Sequence, residues 1–346
     1  MLRMLLAVLL SAALVLLSGP KVIPALRKLK FGQTIYELGP QSHKQKQGTP
    51  TMGGVMIAFG VVVATLVAVL IDYKGGADFM LALLAISLLS MAVGFADDYI
   101  KVAKKRSLGL TPWQKIAGQV ITAVGFAAFC YFHPQVGSKV IVPFANIEWD
   151  LGIFYIPLLS LTIIFIVNSA NLQDGLDGLL SGVAGVGGMA WALVAIFFTL
   201  AVAGTNPAYA ANLQSISIFG VALLGACIGF LRFNHHPATV FMGDTGSMFI
   251  GGATVGMAML LRQPFLLLLI AFTMVMSSVS VIIQRYYFKA TRKIFGEPRR
   301  LFKMTPIHHH FELSGMNENQ IDIMYVIVTL VLSLIALWSL QGLQLV

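Results

Sequence analysis

Long apolar segments recur along the whole chain and limit what it can fold into. Ten of them are long enough, at about 20 helical residues each, to cross a hydrocarbon core roughly 30 Å thick. Only 11% of the 346 residues are charged, against about 25% in ordinary soluble domains. This predicts an all-α integral membrane protein of about ten transmembrane helices, forming a single polytopic domain over residues 1–346. The predicted spans are 2–20, 52–71, 79–96, 114–132, 152–169, 179–203, 213–231, 246–261, 265–287 and 321–342.

The positions of the cations predict how the chain is oriented, because loops rich in Lys and Arg stay in the cytoplasm. Of the 23 Lys and Arg, all but Arg3, Lys74, Lys139 and Arg262 lie in or beside connections that follow odd-numbered spans. We therefore expect both termini outside, with the first span retained rather than cleaved as a signal peptide. The predicted cytoplasmic loops are about 21–51, 97–113, 170–178, 232–245 and 288–320.

Two further observations concern the surfaces of the bilayer. The net charge of +9 comes from cations beside the spans, where they would be attracted to anionic lipid headgroups. We therefore expect membrane lipid as a partner and no nucleic acid. The outside connection 136–152 alternates apolar and polar residues between Gly137 and Gly152. That pattern predicts a short periplasmic hairpin.

Acidic residues are scarce, and five of them lie where an apolar span meets a short cytoplasmic turn. Asp97 and Asp98 end the third span, and Lys101 follows one helical turn later. Adjacent carboxylates repel each other, so a nearby cation or a bound metal favours keeping both ionised. A solvated helix end with an intrahelical Asp–Lys pair would also account for this pattern.

The second acidic segment is NSANLQDGLDG, residues 168–178, between two long apolar spans. If it is helical, its polar side chains recur every three residues and share one slowly drifting face that could contact a ligand. The alternative is a tight turn between helices, capped by Asn and Asp. The residues concerned are Asn168, Asn171, Asp174 and Asp177.

The third segment, NHHPATVFMGDTGS at 234–247, contains Asp244 at a predicted helix start. Such a residue can cap the helix, and a helix N-terminus also favours phosphate. Three acidic loops on one membrane face predict a shared Mg²⁺ site whose coordination is completed by substrate phosphates. Lys46, Lys101 and Lys115 would add positive charge for the same phosphates. Together these features indicate phosphoryl transfer to a lipid.

Five motifs carry a resemblance to a known family. They are GTPTMGG (48–54), GFADDYIK (94–101), NLQDGLDG (171–178), NHHPATVFMGDTGS (234–247) and PIHHHFE (306–312). In this order the sequence resembles the phospho-N-acetylmuramoyl-pentapeptide-transferases of bacterial peptidoglycan synthesis, from about residue 30 to the last span. The resemblance implies a ten-helix fold, usually a homodimer, in the bacterial inner (cytoplasmic) membrane with the active site on the cytoplasmic face.

The reaction implied is transfer of phospho-MurNAc-pentapeptide from UDP-MurNAc-pentapeptide to undecaprenyl phosphate, which yields lipid I and UMP. By the same resemblance Asp244 is the Mg²⁺ ligand, Asp97 lies near the metal, and Asp98 is a base or, in a two-step mechanism, the nucleophile. Lys101 and Lys115 would contact phosphates or the acidic pair. The resemblance further implies that the uridine and sugar pocket is lined by Lys46, Asn171, Asp174, Asp177 and Phe241, with Asn234 and Ser247 beside the metal. Further candidates for substrate binding are Thr51, Asn168, His308 and His309.

The three consecutive histidines, 308–310, invite a zinc interpretation, but adjacent residues rarely converge on one metal. We predict instead a lid that selects the muramyl donor, with His308 and His309 contacting substrate and His310 structural. A plain solvated loop is the alternative. One position and one segment depart from the family pattern: Gln173, where Thr is common, and SGMNENQI at 314–321.

Three other functions are compatible with parts of this pattern. A transferase of GlcNAc-1-phosphate from UDP-GlcNAc to the same lipid would share the acidic loops but lack PIHHHFE. An ion-coupled transporter would place its acids near the bilayer midplane, whereas these acids lie at its cytoplasmic edge. A scaffold would have no reason to gather five Asp with lysines.

Overall fold

The computed structural model describes residues 1–28, 48–71, 77–104, 108–145 and 147–341. Within these ranges the chain is helical apart from one hairpin and the connections. The helices are α1 (Leu2–Lys28), α2 (Gly54–Leu70), α3 (Asp78–Ala103), α4 (Pro112–Phe132), α5 (Tyr155–Gln173), α6 (Leu179–Val202), α7 (Pro207–Asn234), α8 (Gly243–Leu260), α9 (Leu267–Ile270), α10 (Phe272–Phe295), α11 (Ile307–Glu312) and α12 (Glu318–Trp338). The strands are β1 (Lys139–Val142) and β2 (Ile147–Asp150).

Seven helices among the described residues are long and apolar enough to cross a membrane: α1, α3, α4, α5 with the turn before it, α6, α7 and α12. The predicted class, an all-α multi-pass membrane protein, is therefore confirmed. The predicted span 265–287 differs from the structure, because residues 264–270 and 272–295 form two arms bent by 87°. The backbone leaves helical geometry at Ala271, where φ is −104° and ψ is 21°. Counted as one, the bent pair would be an eighth span.

The predicted cytoplasmic loops are partly helical in the structure, beginning with loop 21–51, which α1 enters as far as Lys28. Helix α3 continues through Asp97 and Asp98 to Ala103, well into the predicted loop 97–113. Helix α10 continues to Phe295, and α11 forms inside the predicted loop 288–320. Helices α3 and α10 extend beyond their apolar residues because the Lys and Arg residues that follow are good helix formers.

Small residues determine how closely the helices around the functional site approach. A Cβ atom on Gly54 of α2 would collide with the Cα of Gly246 in α8. One on Gly94 of α3 would collide with the backbone oxygen of Asp244. Glycine at these positions lets backbones touch, as is common between membrane helices. The start of α8 is thereby held against α2 and against the end of α3.

The predicted hairpin is present at the opposite end of these helices. Strands β1 and β2 pair antiparallel, with Lys139 opposite Asp150 and Val142 opposite Ile147. Glu148 accepts a hydrogen bond from Arg262, which follows α8, and also pairs with Lys139. The hairpin is thus tied by charge to the chain segment leaving α8.

Candidate active site

Three carboxylates converge where α3 ends and α8 begins. Asp97 and Asp98 lie in the last two turns of α3, and Asp244 in the first turn of α8. One oxygen from each lies within 4.8 Å of the others, an arrangement able to hold a metal ion. Glycines bring the two helices into contact, so carboxylates that are far apart in the sequence become neighbours. The structure therefore brings the two acidic motifs together at one point.

Two lysines offset part of the negative charge of this carboxylate cluster. The Nζ of Lys101 lies 2.6 Å from Asp97, 3.5 Å from Asp98 and 3.2 Å from Asp244. The Nζ of Lys115, in the first turn of α4, lies 2.8 Å from Asp244. Buried carboxylates in such proximity require compensating cations to stay ionised. The intrahelical Asp–Lys pair expected from the sequence is present, and it also belongs to this larger cluster.

The two site carboxylates of α3 are held by separate segments. Asp98 Oδ2 accepts hydrogen bonds from the backbone N–H (2.9 Å) and the hydroxyl (2.8 Å) of Thr245, and the residue is only 3% exposed. Asp97 Oδ1 accepts one from the backbone N–H of Leu110 at 2.8 Å. A Cβ on Gly109 would collide with Asp97. The sequence analysis did not identify Gly109 and Leu110 as site residues. Their position just before Thr111, the N-cap of α4, was the sequence feature that could have indicated them.

Asn171 links α5 to this cluster. Its amide nitrogen donates to Asp244 Oδ1 (2.8 Å) and to the hydroxyl of Ser247 (2.9 Å), while its oxygen accepts from Lys115 at 3.3 Å. Asn168, one turn earlier, instead exchanges hydrogen bonds with Gln119 of α4. Of the two asparagines, Asn171 touches the carboxylate cluster and Asn168 joins α5 to α4.

The predicted single helical face over 168–177 is wrong beyond Asn171. Helix α5 ends at Gln173, and Asp174 has left helical geometry with φ −74° and ψ 52°. Gln173 points away from the cluster, and its Nε2 donates a hydrogen bond to the hydroxyl of Thr273 in α10 at 3.1 Å. The residue that departs from the family pattern therefore joins α5 to α10. A turn follows the helix and ends at Gly178, which has a φ of +85°, a conformation that glycine adopts readily, and which immediately precedes α6.

Asp174 faces the carboxylate cluster, whereas Asp177 does not. Asp174 lies close to the backbone N–H of Gly243 at the start of α8. Burial, followed by the negative charges of Asp244, Asp98 and Asp177, raises the pKa of Asp174 well above its usual range. A carboxyl group with a raised pKa holds its proton more readily and can then donate a hydrogen bond to a substrate oxygen.

Asp177 belongs to a second polar group, which the sequence did not reveal. Its Oδ2 lies 3.1 Å from Nδ1 of His236 and accepts a hydrogen bond from the N–H of Ala238 at 3.0 Å. Glu318, at the start of α12, accepts from the backbone N–H of Asp177 at 3.2 Å and lies 3.5 Å from the same Nδ1. Glu318 lies in SGMNENQI, so that divergent segment contributes to this part of the structure.

Asn234 was expected beside the metal, but its hydrogen bonds lie elsewhere. Its oxygen accepts from the N–H of Gly178 at 3.2 Å and from the hydroxyl of Ser181 at 3.0 Å. Its amide donates to the carbonyl of Val240 at 3.0 Å. Asn234 therefore ties the start of α6 to the segment before α8, whereas Ser247 does reach the Asp244 side.

The GTPTMGG segment runs beside the segment before α8. Phe241 donates its N–H to Pro50 and accepts from the N–H of Gly53. Thr51 is buried, and a Cβ on Gly243 would lie 2.7 Å from its hydroxyl oxygen. Both Phe241 and Thr51 thus border the start of α8. Lys46 lies outside the described residues.

The three histidines are half of the six-residue helix α11, which is not a solvated loop. His308 is fully buried and His309 is 8% exposed. A Cβ on Gly175 would collide with His308 Nε2, so this ring packs onto the turn between Asp174 and Asp177. His309 Nδ1 lies 3.0 Å from Glu312, and His310 Nδ1 accepts from the N–H of Lys303 at 3.1 Å. The histidines therefore adjoin the site, with His310 tied to the preceding loop.

The residues present fit a magnesium ion. The cluster offers three carboxylates, and hard oxygen donors of this kind are what Mg²⁺ prefers. Asp244 is the member shared by both lysines and by Asn171. It is therefore the central carboxylate of the cluster.

Comparison with known proteins agrees with this geometry. Residues 80–262 match the model of glycosyl transferase family 4, and residues 46–57 match signature 1 of the phospho-N-acetylmuramoyl-pentapeptide-transferases. A protein of that name from Thermoanaerobacter sp. is 44% identical, covering 98% of this chain and 99% of its own length. Those from Caldicellulosiruptor bescii (40% identical, 97% of each chain) and Bacillus pumilus (42% identical, 93% of each chain) are similar over nearly the same extent. The chain belongs to the phospho-N-acetylmuramoyl-pentapeptide-transferase family.

Proposed function

We propose that this protein transfers phospho-MurNAc-pentapeptide from UDP-MurNAc-pentapeptide to undecaprenyl phosphate, producing lipid I and UMP. The observation that carries the proposal is the meeting of Asp97, Asp98 and Asp244 with two lysine ammonium groups at one helix junction. A diphosphate donor and a phosphate acceptor both need such a site, where cations and a metal offset their charge. Membership in the family supports the muramyl donor.

The proposal extends to topology and assembly. Ten spans would place both termini outside and the carboxylate cluster on the cytoplasmic face of the bacterial inner membrane. The concentration of Lys and Arg in connections on that face supports this orientation. A homodimer is proposed from the family resemblance alone.

Magnesium is proposed as the cofactor. Asp244 and Asp97 would hold it, with Asp98 beside them. When bound, it would neutralise charge on the donor diphosphate and so stabilise the transition state. Lys101 and Lys115 already contact the same carboxylates, and each can turn its ammonium group toward a phosphate oxygen once the carboxylate is otherwise neutralised.

The reaction is proposed as a single displacement. An oxygen of the lipid phosphate forms a bond to the sugar-bearing phosphorus while that phosphorus loses its bond to UMP, which leaves with the electron pair. The second pKa of a phosphate monoester is about 6, so the acceptor is mostly dianionic at neutral pH and needs little help from a base.

The surroundings of Asp98 support the same mechanism. Its Oδ2 already accepts two hydrogen bonds from Thr245, and its side chain is buried. A nucleophile needs an approachable lone pair, whereas a carboxylate held in this way orients the start of α8 and hence Asp244. A covalent phospho-sugar on Asp98, trapped and identified by mass spectrometry, would contradict the single displacement.

One assay tests the activity. The protein is purified in detergent and given UDP-MurNAc-pentapeptide, polyprenyl phosphate and Mg²⁺, and UMP release is followed. We expect UMP and a lipid-linked product with the muramyl donor and much less UMP with UDP-GlcNAc. Absence of UMP, or equal release from both donors, would overturn the proposal, and the second outcome would favour a GlcNAc-1-phosphate transferase.

A further inference from the structure

His236 lies at a junction of three elements that are remote in the sequence. Its ring is placed between Asp177, in the turn after α5, and Glu318, at the start of α12. Nδ1 is 3.1 Å from Asp177 Oδ2 and 3.5 Å from Glu318 Oε1. Because carboxylate oxygens only accept hydrogen bonds, a hydrogen bond to either neighbour requires the proton on Nδ1.

The contacts form a closed ring. Glu318 Oε2 accepts a hydrogen bond from the backbone N–H of Asp177 at 3.2 Å, and Glu318 Oε1 faces Nδ1 of His236. The same Nδ1 contacts the carboxylate of Asp177, which closes the ring. The N–H of Ala238 donates to the same Asp177 oxygen. Both the main chain and the side chain of Asp177 are therefore held, which fixes the direction of the carboxylate as well as its position.

Other contacts already perform the folding tasks at this junction. Asn234 joins the start of α6 to the segment before α8 through three hydrogen bonds. Asn317 and Gln320 form the capping box of α12, so Glu318 is not needed as its cap. The ring of His236 is 39% exposed, so it fills little of the packed interior, although the two carboxylates that it contacts are buried. The effect of His236 is thus expected on the orientation of Asp177 more than on folding.

The turn between Asp174 and Asp177 connects this ring to the carboxylate cluster. Asp174 lies close to the start of α8, while Asp177, three residues later, has its carboxylate against His236 and its backbone N–H against Glu318. A donor whose phosphates lie at the cluster would reach this side with the groups attached to them. The direction of the Asp177 carboxylate then affects how tightly the donor is held.

We propose that His236 is a positioning residue, with Glu318, that orients Asp177 for binding the UDP-linked donor. The proposal rests on the proposed function and adds two residues to its site. It predicts an effect on the donor rather than on the lipid acceptor, because the ring contacts the Asp177 side of the turn. It also predicts that an N–H donor at the position of Nδ1 is the feature that matters.

The test compares two substitutions at His236 with the same two at its neighbour His235, which is exposed at the end of α7. His236→Phe keeps a ring but removes the donor, and His236→Asn restores an N–H donor near the position of Nδ1. We expect His236→Phe to raise the KM and the Kd for UDP-MurNAc-pentapeptide about tenfold. The kcat and the KM for polyprenyl phosphate should change by less than about twofold, since only ground-state binding of the donor is affected.

Rescue and coupling complete the test. His236→Asn should return the donor KM to within about threefold of the original value, and the His235 variants should match the unsubstituted protein. Glu318→Gln should raise the donor KM, and its effect should not add to that of His236→Phe because both act in one network. If the melting temperature of His236→Phe is much lower than that of the unsubstituted protein, the donor KM is compared with kcat and the acceptor KM in Glu318→Gln instead.

The outcomes separate the two proposals. If the unsubstituted protein releases UMP but His236→Phe leaves the donor KM unchanged, lowers kcat instead, or is no worse than His236→Asn, the positioning role is overturned and the function stands. If the unsubstituted protein neither binds the donor nor releases UMP, the proposed function fails, and the positioning role fails with it.

Discussion

Lys115 of α4 and Asp244 of α8 form an ion pair with 2.8 Å between Nζ and Oδ2, although 129 residues separate them. The same ammonium group contacts the side-chain oxygen of Asn171 at 3.3 Å. A single lysine thus joins three helices at the carboxylate cluster. Removal of this charge should therefore affect chemistry at Asp244 directly.

Lys115→Gln should lower kcat/KM for UMP release by about 100-fold, because a preorganised cation beside the transferring phosphoryl group is lost. Lys104→Gln removes the same charge from the exposed C-terminal end of α3 and should leave the rate within about twofold. Steady-state rates of both purified variants provide the measurement. Similar losses in the two would indicate a general effect of positive charge on recruiting the donor.

Asp244→Asn should reduce turnover by at least about 100-fold, since it removes the carboxylate shared by both lysines. The fold should persist, because Gly54, Gly94 and Gly246 hold the backbone of this region. UMP release and melting temperature are measured together, with Asp150→Asn in the hairpin as the control. Retained turnover would exclude Asp244 as the metal ligand.

Magnesium should stabilise the folded protein without any substrate, because the carboxylates meet only in the native state. At about ten times its Kd, a ligand of the native state adds about 1.4 kcal/mol to the free energy of unfolding. The melting temperature should rise with Mg²⁺ in the unsubstituted protein and much less in Asp244→Asn. An equal rise in both would place the stabilising ion elsewhere.

Gly175→Ala should impair activity more than stability. The added Cβ would collide with His308 Nε2, so the imidazole or the turn carrying Asp174 and Asp177 must move. Displacing binding groups by a fraction of an ångström should lower kcat/KM at least about tenfold. Gly125→Ala is the matched control, because a Cβ at this position on α4 meets no atom within 4 Å. It should leave kcat/KM unchanged.

Glu148 should make the hairpin sensitive to acid. Burial alone would raise the pKa of Glu148, but Arg262 and Lys139 outweigh burial and lower it. The stabilisation is therefore complete above the unfolded-state pKa of about 4.3 and is lost as pH falls through the lower folded-state value. Because the pair is exposed, Glu148→Gln should cost only about 0.5 kcal/mol at pH 7.

Thermal unfolding across pH checks this expectation. The difference in melting temperature between the unsubstituted protein and Glu148→Gln should be present at pH 7 and should shrink progressively below about pH 4. Glu297→Gln, at an exposed position just after α10, is the matched control and should change the melting temperature little at either pH. A Glu148→Gln difference that persists unchanged at low pH would show that charge is not the cause.

Local patterns were sufficient for the class of fold and the family. Apolar runs of span length predict membrane helices from composition and length alone, because lipid requires every backbone hydrogen bond to be satisfied within the segment. The alternation between Gly137 and Gly152 likewise predicts the hairpin, which the structure confirms. The acidic motifs and PIHHHFE together predict the family, which comparison confirms.

Sequence alone was therefore enough for the membrane class, the hairpin, the family and the motifs that supply Asp97, Asp98 and Asp244. Which motifs meet depended on packing, because glycines such as Gly94 and Gly54 let distant backbones touch. Packing also explains why Asp177 turns to His236 and Glu318 instead of sharing a face with Asn171, since α5 ends before Asp174. Periodicity reports neighbours along one helix, whereas contacts between helices depend on how the whole bundle packs.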